Sequence, residues 1–193
     1  SAHLAQYLAL QGYRVLAIDL DPQASLSALL GVLPETDVGA NETLYAAIRY
    51  DNARKSLRDV VRKTYFDGLD LVPGNLELME FEHTTPRALM GGSKTGDGIF
   101  FARIASALDE VADQYDVVVL DCPPQLGYLT LSALTAATSI LVTVHPHQDH
   151  IHPNVEAPSP PVEHTDVTAV LGTHPLGRRS EVTLAQVARI ALD

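Results

Sequence analysis

The chain has 193 residues, 46% of them hydrophobic, enough for one core of ordinary size and a small appendage. Lys and Arg number 13 against 24 Asp and Glu, and the net charge of -11 argues against a general electrostatic grip on DNA or anionic lipid. No run approaches the roughly 18 apolar residues of a membrane span, the first residues carry neither a basic start nor a small-residue cleavage site, and Cys122 is the lone cysteine. A soluble protein of the reducing cytoplasm, with no disulfide framework and no membrane partner, is expected.

In chain order, Leu4, Tyr7 and Leu8 have helical spacing before a stop at Gly12, and the apolar run 13–18 has the length of a strand. A helix over 24–30 ends at Gly31, and Asn41 is placed to cap another over 42–50. A helix over 53–63, a strand over 69–72 and a helix over 75–90 follow. The glycine-rich stretch "MGGSKTGDG", 90–98, reads as a mobile loop; it lacks the Gly-Lys-Ser/Thr order of a phosphate loop, and no strand precedes it. A helix over 98–113, a strand over 116–120, a helix over 126–137 and a strand over 139–144 complete the pattern. Short, continuously apolar strands alternating with helices predict an α/β domain: a mostly parallel sheet in three layers, with helices on both faces. From about 147 the character changes. Proline and histidine crowd 145–164 without helical or strand period, so 147–193 is expected to be an irregular tail apart from a helix over 181–192 capped by Ser180.

Two stretches carry the chemistry. "VLAIDLDPQASL" drives an apolar strand into Asp19 and Asp21, and "VVVLDCPPQLG" ends another at Asp121, with Pro123 and Pro124 fixing the exit. Ligands of open parallel sheets sit beyond the carboxyl ends of the strands. Three acids at such an edge repel one another unless a cation or polarised water lies between them, which points to Mg²⁺ with a phosphate ester. Taken singly, each Asp is equally well explained as a turn former, and Asp21 as the cap of the helix near Ala24.

"AIDLDPQASLSALLG" resembles the second nucleotide-site motif of the ParA/MinD group of deviant-Walker ATPases, and "YDVVVLDCPPQLGYLTLSAL" resembles their Walker B strand and switch II. "GYRVLAIDLDPQ" and "LVPGNLELMEFEH" are more narrowly similar to RepA-type plasmid-partition ATPases, over residues 1–146. The resemblance implies a P-loop fold, ATP and Mg²⁺ held in a homodimer, hydrolysis stimulated by a ParB- or RepB-type partner, and movement of plasmid DNA over the nucleoid. By position it makes Asp21 the acid that readies the attacking water and Asp121 the magnesium acid. Asp19, Pro22, Gln23 and Pro123 become nucleotide-side residues. Non-specific DNA binding, also implied, is not supported by the acidic composition. The resemblance further places the phosphate loop immediately before Ser1, so hydrolysis by this chain as it stands is expected to be impaired.

Two other readings compete. "HPHQDH" fits H-x-H-x-D-H, in which His145 and His147 would serve one zinc and Asp149 and His150 a second. The ligand count and the residues after it fall short, so a solvated His-rich tail carries more weight and Zn²⁺ is not expected. A non-catalytic interaction module is the other alternative. Arg54, Arg58 and Arg62 recur at i, i+4 and i+8 and would give one helix a basic face, read as a solvated surface more readily than as a DNA contact. Cys122 reads as a small buried residue.

Overall fold

Strands Val15–Asp19 (β1), Leu69–Val72 (β3) and Val117–Asp121 (β4) lie side by side and parallel, with β1 in the middle. The structure, a computed structural model, describes residues 1–90, 100–144 and 165–172. A two-residue strand, Arg62–Lys63 (β2), borders β3 antiparallel. On the other side Thr165–Gly172 (β6) runs antiparallel to both β4 and Ser139–Val144 (β5), giving the order β2-β3-β1-β4-β6-β5. Four strands, β1, β3, β4 and β5, therefore share one direction, and the expectation of a mostly parallel sheet holds.

Alternation along the strands divides the core in two, as the period of two requires. Leu16 and Ile18 of β1, with Val118 and Leu120 of β4, face one layer; Val15, Ala17, Val117 and Val119 face the other. Helices α4 (Tyr45–Ile48), α5 (Met79–Met90), α6 (Phe101–Asp109) and α7 (Tyr128–Ala136) cover the first face with Phe81, Ile104, Leu108 and Leu129. Helices α1 (Ala2–Leu10) and α2 (Ser25–Leu29) cover the second with Leu4, Leu8 and Leu26, and a one-turn helix, α3 (Pro34–Asp37), follows α2. Helices stand on both faces, as expected, and Cys122 is buried.

Three expectations fail for local reasons. The segment 53–63 is not a helix: Ser56 caps a 3-10 turn, Leu57–Val60, and the chain then extends into β2. Glu110, in the 110–114 turn after α6, holds this shape, accepting from Ser56 Oγ at 2.7 Å and Leu57 N at 2.9 Å. Arg54, Arg58 and Arg62 accordingly form no helical row; they pair separately with Glu110, Asp113 and Glu42. Asn41 does not cap a helix over 42–50. It adopts a left-handed conformation (φ 60°), its side chain accepts from Arg49, and only α4 is helical. Finally, 165–172 pairs as β6 where an irregular tail was expected. The glycine-rich stretch from 91 and the helix over 181–192 lie outside the described residues.

Candidate functional site

The register of β1 and β4 places Asp19 opposite Asp121, the last residue of each strand. The backbones continue to pair one step beyond, where Leu20 N donates to the Asp121 carbonyl at 2.9 Å. The chain then turns. Asp21 Oδ1 accepts from Gln23 N at 2.9 Å, the Asp21 carbonyl accepts from Ala24 N at 2.9 Å, and Ala24 sits in the left-handed region (φ 54°, ψ 39°) before α2. This Asx turn uses one oxygen of Asp21 and leaves its side chain half-buried at the carboxyl edge.

Asp19 is fully buried and its carboxylate is well supplied with donors. Oδ2 accepts from Ser27 N at 2.8 Å and Ser27 Oγ at 2.7 Å, and Oδ1 accepts from Asp21 N at 3.2 Å. Burial dominates nonetheless and pushes the carboxyl up to about 6; the Ser27 bonds oppose it and the Asp121 charge adds a smaller upward push. Ser27 passes the connection to a third strand, since its Oγ accepts from Gly74 N at 2.9 Å just after β3. A Cβ at Gly74 would lie 2.8 Å from the Asp21 carbonyl oxygen and 3.0 Å from Asp19 Cγ. The ends of β1 and β3 approach that closely because the residue there has no side chain.

Asp121 is half-buried, and its Oδ1 accepts from the Ser1 hydroxyl at the start of α1. The expectation that all three acids share one divalent ion is not met. Among the described residues no three His, Cys, Asp or Glu side chains form a group that could hold a metal, and the oxygens of Asp19 are engaged by Ser27 and the Asp21 amide. Asp121 and Ser1 instead offer a carboxylate and a hydroxyl, hard oxygen donors of the kind Mg²⁺ takes when water or phosphate completes its shell. Of the other expected residues, Pro22 is half-buried and Gln23 exposed on the Asp21 turn, and Pro123 is buried just after Asp121. His145, His147, Asp149 and His150 lie outside the described residues. Sequence reasoning missed Ser1, Ser27 and Gly74. Only Gly74 left a signal, the Pro-Gly pair directly after a strand.

A parallel α/β sheet with helices on both faces and acids at the carboxyl ends of neighbouring strands is the architecture of the P-loop nucleotide-binding class. The chain belongs to the AAA domain family, whose model matches residues 1–152, and its relatives are of the ParA type. It is 73% identical over 146 residues to a putative replication protein A of Rhizobium rhizogenes, covering 76% of this chain and 36% of the relative. A ParA family protein of Chlamydia muridarum is 35% identical over 145 residues, covering 75% of this chain and 50% of the relative. A cobyrinic acid a,c-diamide synthase of Mycobacterium smegmatis, solved with ADP and magnesium bound, is similar in structure: TM-score 0.56, 33% identity, 70% of this chain and 49% of that one. The chain thus spans about a third to a half of the length of the curated relatives it matches.

Proposed function

We propose that this chain forms the magnesium and water side of an ATP site in a plasmid-partition ATPase. One observation carries the reading: parallel register sets Asp19 and Asp121 together at the strand ends, with the Asp21 turn directly beyond them. Asp121, with the Ser1 hydroxyl, is suited to hold Mg²⁺, and Asp21 to accept a proton from water attacking a γ-phosphate. Bound Mg²⁺ would supply charge neutralisation on the phosphates. Asp19 has a different part. Buried and fully bonded, it fixes the Asp21 turn through the Asp21 amide and fixes α2 and the β3 exit through Ser27. Pro22, Gln23 and Pro123 then shape the two loops flanking the acids.

ParA-type kinship extends the reading to a cytoplasmic homodimer that responds to a ParB- or RepB-type partner while moving plasmid DNA. The domain responsible would be 1–146, with 147–193 as an appendage that contributes β6. Among the described residues no helix is long and apolar enough to cross a membrane. The test is Mg²⁺-dependent phosphate release from ATP by the purified chain, alongside Asp21→Ala. Release that disappears in the variant while its circular dichroism is unchanged supports the assignment. A folded wild-type chain that neither binds Mg²⁺-ATP in an equilibrium titration nor releases phosphate overturns it.

A further inference from the structure

Two helices on the same face of the sheet meet at a single carboxylate. On α5, Phe81 is fully buried and stacks on Tyr50 with ring centroids 5.8 Å apart, and the Thr85 hydroxyl shares a 2.9 Å hydrogen bond with the Tyr50 hydroxyl. These contacts fix the rotation of α5 and deliver the intervening Glu82 to the start of α7. Its Oε2 accepts from Tyr128 N at 2.9 Å and its Oε1 from Leu129 N at 2.8 Å. The first amides of a helix have no partner within it, and the positive end of the helix dipole favours an anion there. Gly127, at the N-cap, has no side chain to do this task.

The glycine is itself explained by the carboxylate. Its φ of −91° is open to any residue, so backbone conformation does not demand it. A Cβ there, however, would stand 2.5 Å from Glu82 Oε1 and 2.9 Å from Oε2. Residues 122–126 connect Asp121 to this point. The connection is pinned at one end by the β4 register and near the other by Thr130 Oγ1, which donates to the Gln125 carbonyl at 2.8 Å.

We infer that Glu82 is a positioning residue: from α5 it clamps the first amides of α7 and so sets the path of the loop that leaves Asp121. What that loop faces rests on the nucleotide reading above; the clamp does not. The geometry makes α5 and the Asp121 loop one mechanical unit, although they come from different strand-helix pairs. Shifting Glu82 would loosen the loop without touching either acid.

Two variants of the 193-residue chain reach the clamp from opposite sides. Glu82→Gln keeps the size but removes the charge and one acceptor; Gly127→Ala keeps the carboxylate and pushes it aside. Amide hydrogen exchange is followed with and without Mg²⁺-ADP. Both variants should speed exchange at Tyr128, Leu129 and the loop amides about tenfold while β1 and β3 keep wild-type rates, since one charged clamp is lost locally. Both should also lose the protection that Mg²⁺-ADP gives the loop in the wild type. Wild-type exchange at Tyr128 and Leu129 in Glu82→Gln overturns the inference, as does equal acceleration in β1 and β3, the mark of general destabilisation. If Mg²⁺-ADP protects nothing in the wild type, the nucleotide reading falls, and exchange at Tyr128 and Leu129 still decides the clamp.

Discussion

Asp19 and Asp121 occupy the same register position on adjacent parallel strands, yet their surroundings differ sharply. One is sealed among Ser27 and backbone amides; the other is half-buried and touches the Ser1 hydroxyl. Two carboxyls side by side in unlike environments take unlike roles. Asp19 organises the edge, and in the proposed reading Asp121 is the carboxylate that meets Mg²⁺.

Asp121→Asn should weaken Mg²⁺ binding at least as much as loss of an outer-sphere partner does, roughly 10–100-fold. The fold should survive, because the strand register does not depend on that side chain. Calorimetric titration of Mg²⁺ in the presence of ADP measures the loss. An unchanged affinity would remove Asp121 from the metal.

The raised carboxyl of Asp19 predicts a pH slope. In the folded chain the proton is held to about pH 6, whereas the unfolded chain releases it near the ordinary 3.8. Between those values the folded state binds more protons, so stability falls as pH rises from about 4 to 6, by about 3 kcal/mol from this group, and levels off above. Urea denaturation with EDTA present, at steps from pH 4 to 7, should show the fall in wild type and its loss in Asp19→Asn. Equal slopes in the two proteins would contradict the assignment.

Gly74→Ala should destabilise the chain by about 1–3 kcal/mol, because its Cβ would strike the Asp21 carbonyl, an atom of the backbone that cannot swing away. Thermal melting provides the check. A melting point equal to that of wild type would mean the β1 and β3 ends have room to part.

Glu110→Ala should cost about 1–3 kcal/mol, since it leaves Leu57 N, Ser56 Oγ and the Arg54 guanidinium without their shared acceptor. Chemical denaturation would register the change. Wild-type stability would show that the 3-10 turn over Leu57–Val60 holds itself.

The strands at the centre of the sheet were legible because burial on both faces leaves uninterrupted apolar runs: 69–72 coincides with β3, and 13–18 and 116–120 overlap β1 and β4. Helix α7 was legible instead from helical spacing, and it falls within the 126–137 expected. The basic stretch was misread for the opposite reason. Arg54, Arg58 and Arg62 repeat at helical spacing, but each reaches a different distant acid, and long-range ion pairs leave no local period. At the site, the acids announced themselves by breaking apolar runs. Ser27 did not, because its role comes from α2 folding back on β1 and not from its neighbours in sequence. Strand β6 left a signal in the β-branched residues Thr165, Val167, Thr168 and Val170, masked by the prolines before it.

Strand β6 also sets an order of assembly. Since it lies between β4 and β5, neither of them has its hydrogen-bonding partner on that flank until Gly172 has left the ribosome. Until then the open flank of β4 offers unpaired amides and carbonyls beside an apolar face, the kind of surface on which nascent chains stick together. Distant pairing of this type is also slow to form. Truncation before residue 165 should therefore yield inclusion bodies more readily than a lower melting point alone would suggest.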